Sequence, residues 1–152
     1  STGAELWRFE DAGGWYWARA LVTETAVYAP SLDGRIYALS LNLGELLWQG
    51  PENPDGPIIG SPAAVKDVLV FASEGGTLWT ASLTDGTKQR QCEIDEKLKT
   101  NVVATDDSIF LGAWDHTVRA FEMNQFGVLN TRWVYKTDRQ MSENPVTDVS
   151  SC

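Results

Sequence analysis

Residues 31–48, SLDGRIYALSLNLGELLW, carry a strand pattern, a tight turn and a second strand pattern that closes on a tryptophan. A looser copy, SEGGTLWTASLTDGTKQR, occupies residues 73–90. The strand segments are rich in β-branched and aromatic residues, which favour a pleated sheet. Among them lie pairs that tolerate the positive φ of tight turns, namely Asp33-Gly34, Gly75-Gly76 and Asp85-Gly86. The stretch therefore predicts a small antiparallel sheet that recurs along the chain.

The recurrence has a nearly fixed period. Three segments align with one another, namely residues 27–41, 70–83 and 109–123. Four glycines step along the chain by 41, 42 and 41 residues: Gly3, Gly44, Gly86 and Gly127. A period near 42 residues is typical of β-propellers, in which each repeat is one four-stranded blade.

A tryptophan follows most of these glycines. Trp7, Trp48 and Trp133 stand at similar distances after their glycines, whereas Arg90 takes that place after Gly86. A single blade cannot bury both of its faces, so it must stack against its neighbours. We therefore expect these tryptophans to cover the gaps between adjacent blades. Most of the seven tryptophans of the chain are expected to pack inside the repeat array for the same reason.

The chain is predicted to be all-β, a single partial β-propeller domain over residues 1–152 with about three complete antiparallel blades plus flanking strands. The blades cover about residues 17–49, 61–92 and 101–136. Their strands A to D are predicted at 17–22, 26–31, 35–41 and 45–49; at 62–66, 68–73, 77–83 and 87–92; and at 101–105, 108–113, 117–123 and 131–136. Residues 5–9 and 145–149 are predicted as lone strands.

Three blades are too few for a closed ring, because propellers close with about four to eight. The chain is then a fragment of a longer protein, or several copies complete one ring as a homo-oligomer, or the arc stays open with shielded ends. An unshielded end would expose apolar faces and strand edges. We therefore favour a fragment or a self-assembled ring.

The charge and the composition exclude some partners. The formal net charge is −9, which argues against nucleic acid, since binding to phosphates needs clustered Lys and Arg. No apolar run approaches the roughly 20 residues of a membrane-spanning helix, so no transmembrane segment is expected. Cys92 and Cys152 are the two cysteines, and they do not settle the redox compartment.

Residues 38–48, ALSLNLGELLW, resemble the signature A-x-D-x-x-T-G-x-x-x-W of the pyrroloquinoline-quinone-like (PQQ-like) propeller repeat family. Ala38, Gly44 and Trp48 match the signature, while Ser40 replaces its aspartate and Leu43 its threonine. The other copies match in part: Thr2, Gly3 and Trp7 before this copy; Gly86, with Arg90 for the tryptophan, in the second blade; Ala120, Gly127 and Trp133 in the third. The resemblance covers nearly the whole chain.

The family resemblance implies more than one function. Some members are quinone-dependent dehydrogenases that hold PQQ and calcium, and others are cofactor-free scaffolds. No position here matches the dehydrogenase residues, so we assign no catalytic, cofactor-binding or metal-binding residue. We expect a non-catalytic protein-binding or scaffolding module, periplasmic or extracellular, with a protein or peptide partner. The alternative is a fragment of a quinone-dependent dehydrogenase.

In such propellers, the connection between successive blades and the turn between strands B and C emerge on one face, which is the usual binding side. Here this face is expected to hold Trp15, Tyr16 and Trp17, where Trp15 and Trp17 would point one way and Tyr16 the other. These aromatic residues would anchor a peptide or a sugar ring. Alternatively, Trp17 begins strand A and packs between blades.

The same face is expected to hold Asp33 and the run Trp114-Asp115-His116. His116 is the sole histidine, and beside Asp115 it is a candidate for partner binding. It stands, however, in the B–C turn at the place where the other copies have glycine. A turn residue in the left-handed region is the simpler interpretation.

Overall fold

The computed structural model describes residues 3–87, 89–94 and 96–137. This part of the chain contains β-strands and turns, without a helix. The first blade holds β1 (Leu21–Val22), β2 (Ala26–Pro30), β3 (Ile36–Ser40) and β4 (Leu46–Gly50). The second holds β5 (Ala63–Val65), β6 (Val68–Ala72), β7 (Thr77–Ser82) and β8 (Arg90–Glu93). The third holds β9 (Val103–Ala104), β10 (Ser108–Gly112), β11 (Thr117–Met123) and β12 (Leu129–Lys136).

Each blade is a four-stranded antiparallel sheet whose strands pair in chain order, as predicted for PQQ-like repeats. The blades also share details of register. Tyr28, Ala38 and Trp48 stand side by side across the first blade, and Phe110, Ala120 and Trp133 do so across the third. In both blades the pairing of strands C and D is irregular directly after the alanine. The sequence repeat is thus a repeat of register as well.

The strand ends differ from the prediction. Strand A is shorter than expected in every blade, most of all in the first, where it is Leu21–Val22 instead of the predicted residues 17–22. Strand A pairs with strand B alone, and that pairing extends over only two or three residues. Strand D of the third blade is longer than predicted, beginning at Leu129.

The predicted lone strand at residues 5–9 is wrong, because the structure assigns no strand there. In each blade, strand D pairs with strand C of its own sheet. Residues 5–9 would need a strand C to pair with, and the described residues provide none. The other predicted lone strand, 145–149, lies outside the described residues.

The blades stack face to face, which gives each blade a rear face toward the preceding blade and a forward face toward the next. The forward face of the first blade meets the rear face of the second in one apolar cluster that includes Tyr28, Ile36, Trp48, Phe71 and Trp79. The forward face of the second blade meets the rear face of the third in another, which includes Val70, Leu78, Ile109, Phe121 and Met123. The second blade is therefore covered on both faces.

Repeated tryptophan–glycine contacts accompany this stacking. Trp48 of the first blade lies over Gly86 of the second, and its Nε1–H donates to the carbonyl of Leu83 at 3.2 Å. Trp7 lies in the same way over Gly44, and its Nε1–H donates to the carbonyl of Leu41 at 2.8 Å. Both glycines have a positive φ, 69° at Gly44 and 68° at Gly86, which a side chain would disfavour. Trp7 makes this contact even though it lies in no strand.

The series is incomplete in the third blade. Gly127 has a φ of 75°, but its nearest neighbour is a methyl group of Val68, 3.9 Å from where a Cβ would stand. Arg90 occupies the sequence position whose tryptophan would lie there. Trp133 in turn has no following blade to lie over within the described residues.

Candidate functional site

The three B–C turns have the same backbone. The first residue of each turn donates its N–H to the carbonyl of the fifth: Ser31 to Arg35 at 2.9 Å, Ser73 to Thr77 at 3.0 Å, and Ala113 to Thr117 at 2.9 Å. The fourth residue has a positive φ in every case: 87° at Gly34, 109° at Gly76 and 65° at His116. His116 therefore adopts the backbone conformation for which the other two turns use glycine.

A carboxylate holds each of these turns together. Asp33 accepts a hydrogen bond from the N–H of Arg35 at 2.9 Å, and Asp115 accepts one from the N–H of Thr117 at 3.1 Å. The second blade has Gly75 at the equivalent position. There Asp55, from the connection between the first two blades, accepts a 2.6 Å hydrogen bond from the hydroxyl of Thr77 and another from the hydroxyl of Ser73.

Each B–C turn is also bonded to the chain segment that precedes its blade. The second residue of the turn donates its N–H to a carbonyl in that segment: Leu32 to Trp15 at 2.9 Å, Glu74 to Pro57 at 2.8 Å, and Trp114 to Lys97 at 3.2 Å. These donors and acceptors recur at nearly the repeat period. The turns and the connecting segments therefore lie together at one end of the sheets, which we call the loop face.

The aromatic segment Trp15-Tyr16-Trp17 is held against the first B–C turn. Gly13 donates its N–H to Asp33 Oδ2 at 2.9 Å, and a Cβ on Gly14 would stand only 2.6 Å from the backbone nitrogen of Asp33. The chain at Gly14 thus lies directly on the turn. The backbone that carries Trp15 is fixed at both Gly13 and the Trp15 carbonyl.

The three aromatic side chains are not equally buried. Trp15 is 81% exposed and Trp17 is 73% exposed, whereas Tyr16 contacts the buried Tyr37 edge-on, with ring centroids 6.3 Å apart. The interpretation of Trp17 as the start of strand A, packed between blades, is wrong. Strand A begins only at Leu21, because the chain before it follows the B–C turn instead of pairing with β2.

A hydrogen-bonded pair lies beneath this segment. The Tyr37 hydroxyl donates to Asp33 Oδ2 at 2.6 Å. Burial alone would raise the pKa of Asp33, but hydrogen bonds from Tyr37, Arg35 and Gly13 outweigh it and hold that pKa below its usual value. Burial, reinforced by the nearby Tyr37 and Asp33, raises the pKa of Tyr16 to about 12. Asp33 thus carries the charge here, and its lone pairs are engaged in holding the loop.

The second group of candidate residues lies in the third B–C turn. Trp114 is exposed, and the Lys99 ammonium lies 4.5 Å from the centre of its ring. Lys99 also pairs with Glu74 of the second B–C turn at 2.7 Å, which links two neighbouring turns. Asp115 pairs with Arg119 at 2.8 Å. Although burial opposes it, hydrogen bonds from Thr117 and Arg119 hold the pKa of Asp115 below its usual value.

The structure does not bring the two groups of candidate residues together. Within the described residues, no hydrogen bond, ion pair or ring contact joins the Trp15 segment to the Trp114 turn. The second B–C turn stands between them, beside a cleft of about 310 Å³ whose lining includes Asn53, Asp55, Gly76, Thr77 and Trp79. The loop face therefore presents two exposed aromatic sites on either side of a shallow polar cleft.

Sequence reasoning missed several residues that shape this face. The sequence does not show that Asp55 holds the second B–C turn. That turn has Gly75 where the other two turns have an aspartate, and Asp55 supplies the carboxylate from a different segment of the chain. Lys99 gives no signal either, because its two partners belong to different blades. The recurrence of Trp15, Pro57 and Lys97 at nearly the repeat period was a usable signal, but their chemistry differs and their backbone carbonyls make the contact.

No three His, Cys, Asp or Glu side chains come together in residues 3–87, 89–94 and 96–137 in a way that could hold a metal ion. In the same residues, no helix has the length and apolarity needed to cross a membrane.

These features define a β-propeller of PQQ-like blades. The chain belongs to the PQQ-like family described as "Outer membrane protein assembly factor BamB", whose model matches residues 1–149. The predicted family resemblance is thereby confirmed. No curated protein sequence matches the chain significantly.

Solved structures agree with this assignment. BamB from Moraxella catarrhalis is 25% identical, with a TM-score of 0.67, over 88% of this chain and 39% of the BamB chain. This chain thus spans well under half of that relative. The computationally designed Ika4 protein is 17% identical, with a TM-score of 0.67, over 80% of this chain and 74% of the designed one. The quinohemoprotein alcohol dehydrogenase ADHIIG from Pseudomonas putida HK5 is 14% identical, with a TM-score of 0.70, over 83% of this chain and 21% of the dehydrogenase chain. The last two likenesses show the fold alone.

Proposed function

We propose that the chain is a non-catalytic protein-binding module whose loop face takes a peptide segment of a partner protein. The observation that carries this proposal is the exposed Trp15 side chain on a backbone that is fixed by hydrogen bonds. Large exposed aromatic side chains on a pre-formed surface are typical anchors of protein interfaces. Because the loop is already ordered, little conformational entropy is lost when a partner binds.

Family membership supports the same proposal. The family description names an outer membrane protein assembly factor, and an assembly factor contacts other proteins. By this likeness we propose a scaffolding role and an extracytoplasmic location, periplasmic or extracellular. The likeness to the alcohol dehydrogenase shows the fold alone, so we do not propose a quinone-dependent activity.

The partner segment is expected to be apolar in part. Trp15 and Trp17 offer aromatic surface at one end of the loop face, and Trp114 offers it at the other. The cleft between them is lined mainly by polar side chains and glycine backbone, together with Trp79, which suits the main chain of an extended peptide. An extended segment with apolar side chains near its two ends would match this arrangement.

The test uses a phage-displayed library of random linear peptides as the probe. Peptides enriched on the wild-type chain are then titrated by fluorescence anisotropy against Trp15→Ala and Trp17→Ala. We expect binding to weaken roughly tenfold or more, as for the loss of an interface anchor. Because the Trp15 side chain is exposed, its removal leaves the hydrogen bond of its carbonyl in place.

Phe126→Ala is the matched control. Phe126 is also an exposed aromatic residue, but it lies in the turn between β11 and β12, at the opposite end of the sheet from the B–C turns. Peptide affinity should be unchanged in this variant. Failure to enrich any peptide, or equal affinities for Trp15→Ala and the wild type, would contradict the proposal.

A further inference from the structure

A pocket of about 350 Å³ lies where the second blade meets the turn between β11 and β12 of the third. That turn is at the end of the sheets opposite the B–C turns, so the pocket is separate from the loop face. Its lining includes Thr80 and Ala81, which are buried in β7, and the exposed residues Asp67, Gln125 and Phe126. The volume is within the range of small-molecule sites, about 300–1,000 Å³.

An indole ring fills the equivalent place between the first two blades. The ring of Trp48 lies against Gly86, and its Nε1–H donates to the carbonyl of Leu83 at 3.2 Å. Gly127 is the equivalent glycine of the third blade, with a φ of 75° beside 68° at Gly86. Among the described residues, a Cβ on Gly127 would meet only a methyl group of Val68, at 3.9 Å, and both residues line the pocket. The pocket therefore contains the space in which a tryptophan ring would lie.

The sequence of the second blade accounts for the pocket. Across the first blade, Tyr28 and Trp48 stand on either side of an alanine. Across the second, Val70 and Arg90 stand on either side of Thr80. A valine and an arginine thus hold the two positions at which the first blade has aromatic rings. Because protein interiors are close-packed, rings that no other ring replaces leave a cavity behind.

The pocket offers a planar ligand both a ring and polar groups. The backbone of Phe126 is fixed, since its N–H and that of Val128 donate to the side-chain oxygen of Asn124 at 2.8 and 3.1 Å. Its side chain is nevertheless 69% exposed, which leaves aromatic surface for an offset or edge-on contact with a second ring. Thr80 and Asp67, also in the lining, carry oxygens that can accept a hydrogen bond from a ligand N–H.

We propose that this pocket binds a small planar aromatic molecule of indole size, which takes the place that a tryptophan ring holds between the first two blades. The ring lies on Gly127 and beside Phe126, and a ring N–H donates to a polar group of the lining. A protein partner fits less well, because stable protein interfaces bury about 800 Å² on each partner. Among the described lining residues, only Phe126 is a large exposed apolar side chain. This site does not depend on the function proposed for the loop face.

The test titrates the nitrogen-15-labelled chain with unlabelled indole and follows the backbone amide signals of Gly127 and Thr80. These signals should shift in a saturable way, with a dissociation constant of about 0.1–1 mM for so small a ligand. Arg90→Trp returns a tryptophan to the position that lacks it, so the protein's own ring should occupy the pocket. Indole binding should then weaken by roughly tenfold or more.

Val68→Phe is a second variant, which adds a ring to the pocket without changing β8. It should weaken indole binding in the same way, because Val68 lies beside Gly127. Val22→Phe is the matched control. Val22 is an exposed valine on β1 of the first blade and is not part of the pocket, so this variant should bind indole like the wild type.

Three results would overturn the proposal. The first is the absence of a saturable shift at Gly127 and Thr80. The second is an unchanged affinity for indole in both Arg90→Trp and Val68→Phe. The third is binding of N-acetyl-tryptophanamide at least tenfold more tightly than indole, since main-chain contacts would then matter and the pocket would serve the tryptophan of a partner protein.

Discussion

At the scale of single residues, the repeat depends on pairs that lie far apart in sequence. Trp48 and Gly86 act as one unit: the glycine has a positive φ and leaves room for the ring. A Cβ at Gly86 would stand 2.6 Å from Cε3 of Trp48, well inside van der Waals contact. The glycine is therefore required both by the backbone and by the neighbouring blade.

Gly86→Ala and Gly127→Ala separate these two requirements. Both glycines have a positive φ, so each alanine should cost about 1–2 kcal/mol in the free energy of unfolding. Gly86→Ala should cost about 1–3 kcal/mol more, because its Cβ overlaps the Trp48 ring. Urea unfolding of the two variants measures the difference. Equal losses would show that Trp48 can move aside and that the tryptophan–glycine contact adds little.

At the scale of the element, the B–C turn is a unit of five residues held by a carboxylate. Asp33 and Asp115 supply it from within their own turns, and Asp55 supplies it to the second turn from another segment. The turn therefore tolerates the loss of its own aspartate when a neighbouring loop replaces it. Asp33 and Asp115, predicted as partner-binding residues, are engaged in these structural contacts, so we expect the exposed aromatic residues to bind the partner.

Asp33→Asn should make the acid dependence of stability weaker. The pKa of Asp33 is lowered in the folded state, so its stabilisation is present above the unfolded pKa, near 4, and is lost as pH falls through the folded value. At about pH 7 the variant should be less stable by about 1–2 kcal/mol, since a charged acceptor is lost. Below about pH 3 the two proteins should converge.

Urea unfolding across this pH range checks the expectation, with Asp106→Asn as the control. Asp106 is an exposed aspartate on the turn before β10, so its substitution makes the same change from carboxylate to amide away from the B–C turns. If the free energies of unfolding of the wild type and Asp33→Asn differed by the same amount at all pH values, the substitution would act through the shape of the side chain and not through its charge.

The period of the glycines and tryptophans was enough to predict three sheets and the B–C turns, because blade packing requires those residues at those intervals. Strand ends could not be predicted, since residues 17–20 have strand composition but lie outside strand A, which begins at Leu21. The sequence left open whether Trp17 is exposed or begins strand A, and the structure shows its side chain exposed. At the loop face, sequence identified the aromatic residues, but the contacts that fix them run through backbone groups, such as the carbonyls of Trp15 and Lys97.

At the scale of the whole molecule, the two ends of the arc differ. The rear of the first blade is covered by the chain's own Phe9 and Tyr16, and Trp7 makes the contact expected of a preceding blade. The forward face of the third blade has no such cover within the described residues. In repeat proteins stability is approximately a sum of repeats and of the interfaces between neighbours. The interface between the first two blades should therefore contribute stability that the open face does not.

Trp48→Ala and Trp133→Ala compare a covered and an uncovered site at one position of the repeat. Trp48→Ala should lower the free energy of unfolding by about 3–5 kcal/mol, as large truncations in a core do. Trp133→Ala should cost about 1–2 kcal/mol, because its ring contacts Phe110 but no further blade. Trp133→Ala should also reduce binding of a hydrophobic dye to the native chain, whereas the exposed control Trp15→Ala should change it less. Equal losses of stability at the two sites would show that something covers Trp133 in solution, and light scattering of both variants would then reveal whether a second copy does so.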